Sequence, residues 1–335
     1  MDRAAAYPAG LPVTRAVHYN DSKQADNAEF PGGEDDMVAW DRAAWGQLTV
    51  KEKIHAMQEV LNQLPAGFEW LRLERFERYG QSLETGIFLY EGSEYVFVPG
   101  DSVTLGRAEA HSHAPMSPLR EAVIHPMLVQ RPPISAGWYE YAVEGLDPEE
   151  DGDILEAIEE FRQAPHTSYE YSQYFRLERD GGQIILYLFD DSETFEEWVE
   201  SELPEGFSLP SEDEWEYLYS AGARTLFPWG EEIDESMRLR HVSGSGEANA
   251  EDPYPLELPN ALGLCFPGDP YKKELVLTPD GITGKGGDGG CNLHGGLGVA
   301  TGYLPTATAF RDPYESELDW PELMDCLVYR RVIRL

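Results

Sequence analysis

The densest collection of side chains able to do chemistry is the run Gly286-Gly-Asp-Gly-Gly-Cys-Asn-Leu-His-Gly-Gly296. Cys291 and His294 offer the soft and borderline donors that transition metals select, Asp288 adds a carboxylate, and Asn292 an amide that both donates and accepts. The glycines let a ligand or a neighbouring backbone approach closely. The same run also reads as a glycine-rich turn beside a small thiol, because two donors fall short of the three or four that a protein metal site supplies. A second set is His111 and His113 with His125. Residues i and i+2 on a strand point to one face, which would pair the first two rings as metal ligands; Pro115 and Pro118 fit a surface loop instead. A third set is acidic: Glu212, Asp213, Glu214 and Glu216. At a helix start such a run stabilises the macrodipole and the cap rather than performing acid–base work. Lys285 inside the glycines, with no strand-to-helix frame around it, excludes a phosphate-binding loop.

The elements that must position these groups have local signatures. Apolar residues Ile54, Met57, Val60, Leu61 and Leu64 recur at helical spacing behind Thr49, a capping residue, and Pro65-Ala-Gly67 ends the helix. Phe68 to Phe76, Gly86 to Tyr90 and Glu94 to Val98 alternate as antiparallel strands do. Helices are expected at Ile154 to Phe161 and Ser192 to Leu203, with a buried strand at Gln183 to Phe189 between them. At Pro210-Ser-Glu-Asp-Glu-Trp-Glu-Tyr, Ser211 and Glu214 form a capping box, and Trp215, Leu218 and Tyr219 share a face. Residues 1 to 48 read as a loop-like lead-in, and beyond residue 240 glycine-rich segments predict short strands among loops.

The chain has 335 residues, enough for one large domain or two ordinary ones at roughly 150 residues each. Its 62 acidic and 25 basic residues leave a formal charge of −37, a field that a nucleic acid would be repelled by. No run of ~18 apolar residues exists to span a membrane, and the N-terminus lacks the charged and apolar regions of a signal peptide. Three cysteines, Cys265, Cys291 and Cys326, make no disulfide framework. Together these features predict a soluble, cytoplasmic protein without nucleic-acid or membrane partners.

Several segments, in order, resemble the formylglycine-generating (sulfatase-modifying factor) family. Tyr95-Val-Phe-Val-Pro-Gly-Asp-Ser-Val-Thr-Leu-Gly106 is similar to its opening hairpin, and the segment from His125 to Tyr141 to its strand followed by a Pro-Val-Thr-Asn helix start. Gly206-Phe-Ser-Leu-Pro-Ser-Glu-Asp-Glu-Trp-Glu-Tyr217 with Phe227-Pro-Trp-Gly230 resembles the family's Arg-Leu-Pro-Thr-Glu-Ala-Glu-Trp-Glu-Tyr and Pro-Trp-Gly pair. Asn260-Ala-Leu-Gly-Leu264 looks like its Asn-Xaa-Phe-Gly-Leu, and Ala307-Thr-Ala-Phe-Arg311 with Arg330-Arg-Val-Ile-Arg334 like its closing strands.

The resemblance implies an α+β, loop-rich fold of the C-type-lectin-like kind over residues 87–335, preceded by a small α/β extension over residues 1–86. It also implies a ligand groove near Asp288, Cys291, Asn292, His294 and Arg311. In the family, oxidation of a substrate cysteine rests on two cysteines that hold copper; the corresponding stretch here, Gly295 to Phe310, contains none. Copper and formylglycine-generating activity are therefore not carried over. Calcium is not implied either, because Gly268-Asp-Pro-Tyr-Lys-Lys-Glu-Leu275 replaces the family's Asn-Val-Trp-Glu-Trp turn and puts two lysines where a hard cation needs oxygens. A sister branch uses iron held by three histidines of an added domain, whereas residues 1–86 hold only His18 and His55. The expected function is a non-catalytic binding or accessory module that takes a peptide or small molecule in the family groove. The alternative is a metal-dependent oxidoreductase rebuilt on Cys291 and His294, with His111 or His113 as further ligands.

Overall fold

Hydrogen-bonded caps start the first two helices among the described residues. The computed structural model describes residues 40–108, 115–171, 173–180, 182–189, 203–242, 253–294, 298–318 and 321–335. Asp41 accepts from the backbone N–H groups of Ala43 and Ala44 and opens α1 (Arg42–Gln47), which buries Trp45. The lead-in expected to run to residue 48 thus contains a helix, too short for its periodicity to register. Thr49 and Glu52 then form a reciprocal capping box at the head of α2 (Val50–Leu61).

The strands β1 (Glu69–Arg78), β2 (Gln81–Tyr90) and β3 (Ser93–Val98) are joined by the two-residue turns Tyr79-Gly80 and Glu91-Gly92. All four of those turn residues have positive φ, the type I′ geometry whose twist matches a hairpin. Met57 of α2 lies against β2 where Gly86 leaves room; a Cβ there would stand 2.3 Å from the Met57 sulfur. Next in the chain, β4 (Asp101–Leu105) and β5 (Arg120–Ile124) form a two-stranded pair, and β6 (Met127–Gln130) pairs with β3.

Beyond β6 the expected helix start is replaced by two short strands, β7 (Ile134–Ser135) and β8 (Trp138–Tyr141). Gly137 turns the chain between them at φ 72°, and both segments are taken up by pairing, Ile134 and Ser135 with Tyr329 and Val328, and Trp138–Tyr141 with Leu186–Phe189. From β8 begins a unit with its own core: α3 (Gly152–Gln163), β9 (Ser168–Tyr171), β10 (Phe175–Asp180) and β11 (Gln183–Phe189). The sheet order is β8-β11-β10-β9, and Ile154, Ile158 and Phe161 of α3 pack on Phe175, Leu177 and Leu186. The helix expected over Ser192 to Leu203 falls, apart from its last residue, outside the described residues.

The chain then forms α4 (Glu212–Ser220), β12 (Lys273–Thr278), β13 (Gly281–Lys285), α5 (Cys291–His294), α6 (Val299–Gly302), β14 (Leu327–Tyr329) and β15 (Val332–Arg334). Antiparallel pairing of β15 with β6 closes a five-stranded sheet, β1-β2-β3-β6-β15, through which the 86/87 division drawn from the sequence runs. A third sheet has the order β13-β12-β14-β7. The result is an α+β fold whose C-terminal third is short strands among loops. Buried Arg330 joins the parts: its guanidinium pairs with Glu274 and donates to the carbonyls of Gln130, Arg131 and Cys265. No helix among the described residues is long and apolar enough to cross a membrane.

Asn260 fixes the loop behind α4 with a fully used amide. Its Nδ2 donates to the Leu218 and Tyr219 carbonyls at 2.7 and 3.4 Å, and its Oδ1 accepts from Leu262 and Leu264 at 2.9 and 3.1 Å. Asn260→Ala strands buried backbone groups and should cost ~2–4 kcal/mol in urea unfolding, whereas Ser211→Ala, which removes one cap bond, should cost ~1 kcal/mol.

Candidate functional site

The site is built outward from α4. Ser211 accepts from the Glu214 N–H at 3.2 Å, and the Glu214 carboxylate accepts from the Ser211 N–H at 2.7 Å, so the capping box read from the sequence is present. The four carboxylates of this helix do more than stabilise its dipole. Glu212 takes both arms of Arg311 at 2.8 and 2.6 Å, and Asp213 accepts from Arg120 Nε at 2.7 Å. Glu214 takes both arms of Arg334 at 2.8 and 2.6 Å. Glu216, fully buried at 0% exposure, lies 3.0 Å from Nζ of Lys285, itself 1% exposed, and also accepts from the Ser117 hydroxyl at 2.6 Å. Nζ of Lys285 donates further to the Phe310 carbonyl at 2.8 Å.

Burial opposes ionisation of Glu212, but its hydrogen bond with Arg311 and the charges of Lys285, Arg311 and Arg120 outweigh that, and hold its carboxyl below the usual range. The folded value lies below the unfolded one, so this group stabilises the fold above about pH 4.3 and loses that contribution as pH falls through its lowered value.

Lys285 ends β13, and the glycine-rich turn follows directly. Gly286 packs on Trp215, where a Cβ would stand 3.0 Å from Cζ2, and Gly287 on the backbone just before β12, where a Cβ would stand 2.1 Å from the Lys272 carbonyl oxygen. Asp288 is buried; its N–H donates to the Pro270 carbonyl at 2.9 Å, and its two oxygens accept from the N–H groups of Gly290 at 2.8 Å and Asn292 at 3.0 Å. The carboxylate therefore organises the turn and caps α5, and both oxygens are already engaged. Burial, against those two N–H groups, pushes its carboxyl above the usual range. Asn292 is buried with Nδ2 lacking an acceptor, and Cys291 is exposed at the rim.

Asp312 links this turn to the segment around Arg311. Its carboxylate lies 2.5 Å from Nζ of buried Lys273, which Glu315 also approaches to 2.9 Å. Burial works against the Lys273 ammonium, and Glu315 with Asp312 more than offsets it, holding its pKa above the usual range. Partial burial and the charges of Asp288 and Asp312 push the Cys291 thiol up, with Lys273 opposing. Of the expected groove residues, Asp288, Cys291 and Asn292 thus share one turn beside Asp312, while the Arg311 guanidinium is drawn to Glu212. His294 ends α5, but its side chain lies outside the described residues, as do His111 and His113. His125 is exposed just after β5.

Among the described residues no three His, Cys, Asp or Glu side chains group as a metal ion would require. Over residues 298–310 the buried polar side chains are the hydroxyls of Tyr303, Thr306 and Thr308. Thr306 donates to the Tyr303 carbonyl at 2.7 Å. These hard hydroxyl oxygens do not fit the soft thiolate pair that selects Cu(I). Sequence reasoning missed Lys285, Lys273 and Asp312, because what identifies them is a partner far along the chain.

The electrostatics around Cys291 predict a sluggish thiol. Alkylation followed at the Cys291 peptide should show a pH midpoint above that of free cysteine measured alongside, and Lys273→Met should raise it further.

A model of the sulfatase-modifying factor enzyme 1-like domain matches residues 89–266, from the end of β2 through α4 to Phe266. No curated protein gives a significant match. The matched span contains the capping box, the Pro-Trp-Gly turn and Asn260, and stops before the turn over 286–294. It covers just over half of the 335 residues, and the chain belongs to the sulfatase-modifying factor, or formylglycine-generating enzyme, family.

Proposed function

We propose that this family member binds rather than oxidises: a binding or accessory module that takes a peptide or small ligand on the face formed by the turn over 286–294 and the segment over 311–315. The observation that carries this reading is the state of Cys291. An exposed thiol becomes a strong nucleophile or metal ligand when nearby positive charge ionises it, whereas here partial burial, Asp288 and Asp312 push the thiol up, away from the thiolate. Asp288 is engaged by backbone N–H groups and Asp312, beside the turn, by Lys273, while buried Asn292 keeps an Nδ2 with no acceptor among the described residues.

Three carboxylates, Asp288, Asp312 and Glu315, surround the single ammonium of Lys273, and the whole chain carries −37. Such a field draws a positively charged ligand and repels an anionic one. A cytoplasmic setting accords with three free cysteines.

The test is a fluorescence titration with short Lys- and Arg-rich peptides against Asp- and Glu-rich ones. Saturable binding of the cationic set, weakened by salt and blocked by alkylating Cys291, is the expected result. Oxygen consumption with cysteine-containing peptides would contradict it. A stoichiometric transition metal that Cys291→Ala abolishes would favour the metal-dependent oxidoreductase built on Cys291 and His294.

A further inference from the structure

His241 holds φ 63°, a left-handed conformation that few non-glycine residues adopt. Its Nε2 lies 3.3 Å from Oδ2 of Asp269, and its ring stacks on Tyr271 with centroids 4.3 Å apart and planes inclined by 18°. Asp269 is buried and also accepts the Tyr271 N–H at 2.9 Å. Burial opposes its ionisation, but the His241 hydrogen bond and the Tyr271 N–H outweigh that and hold its carboxyl below the usual range. The same Tyr271 ring lies directly against Gly290, where a Cβ would stand 2.3 Å from Cε1. His241, Tyr271 and Gly290 thus form a continuous stack that ends one residue before Cys291.

We infer that His241 is a positioning residue for the 286–294 turn, and that gain of a proton by its imidazole, which turns the contact with Asp269 into a charge-assisted pair, pins Tyr271 and closes the turn. The inference rests on the turn being the binding face; it adds that ligand access is regulated by pH. Imidazole is the side chain suited to such a role, since it changes charge between about pH 5 and 8. The surrounding charges are Asp269, Arg240, engaged by Glu257 at 2.8 and 3.1 Å, and Lys272, which also acts on Asp269. Tyr271 feels Asp269, Asp288 and Cys326. The Cys326 thiol is pushed up to about 12 by burial and Asp325, and so stays neutral through this range. Asp288, raised by burial, is the other group able to respond to pH.

The experiment reads the turn with no ligand present, so its failure is separate from failure of the binding proposal. Hydrogen-exchange protection factors, corrected for intrinsic rates, are measured on the peptide over 286–294 at pH 6 and pH 8. About fivefold greater protection at pH 6 is expected for the natural chain, and no difference for His241→Gln or Asp269→Asn. His241→Asn, whose new side chain tolerates the left-handed backbone, serves if His241→Gln does not fold. Equal protection at the two pH values in the natural chain overturns the inference. So does a difference that survives Asp269→Asn, which assigns the response to Asp288, or one that survives replacement of His241.

Discussion

The buried pair between Glu216 and Lys285 is the interaction on which the rest of the site depends. Both side chains have been taken out of water, and counter-charge makes that tolerable: Lys285 stands 3.0 Å from Glu216 and 3.4 Å from Glu212, Glu216 has Arg120 at 3.2 Å as well, and hydrogen bonds come from Ser117 and go to the Phe310 carbonyl. Around this pair α4 extends three further carboxylates, and each finds its cation on a different segment: Arg120 on β5, Arg311 in the loop after α6, Arg334 on β15. The C-terminal third, poor in regular structure, is located by these charges as much as by its short strands. Because the glycine-rich turn begins at the residue after Lys285, its position follows directly from the pair.

Local features were legible in the sequence where a few neighbouring residues decide the structure. The capping boxes at Thr49 and Ser211, the strand Gln183–Phe189 and the alternation from Phe68 to Val98 required only short windows, and β1, β2 and β3 share one sheet; the burial expected for Gln183–Phe189 is met at Leu186 alone. The helix start expected after Pro132 is absent because the segment pairs as β7 and β8 with strands far along the chain, partners that a local resemblance does not contain. The acidic run of α4 was read as dipole and cap chemistry, which accounts for Glu214 and leaves three carboxylates unexplained. Their partners are not local: Lys285 lies 69 positions beyond Glu216, and Arg334 is 120 beyond Glu214. Asp288 is an instructive intermediate case. Its two hydrogen bonds reach only two and four residues ahead, so a turn-capping role was available from the sequence alongside the ligand role assigned to it.

The site that emerges is a thiol kept neutral on a turn whose backbone is held on three sides: by Trp215 under Gly286, by the Lys272 carbonyl beside Gly287, and by Tyr271 against Gly290. Family membership supplies the fold; the matched span ends at residue 266, so the character of the turn comes from its own residues.

A double-mutant cycle tests most directly whether the buried pair organises the site. Lys285→Met, Glu216→Gln and the double variant would be compared by urea unfolding. Each single change leaves a buried ion with only its more distant partner, Arg120 at 3.2 Å for Glu216 or Glu212 at 3.4 Å for Lys285, and should cost up to ~3–5 kcal/mol, while the double variant should lose clearly less than the sum of the two. Losses that simply add would show that Lys285 and Glu216 contribute independently, and would contradict the account.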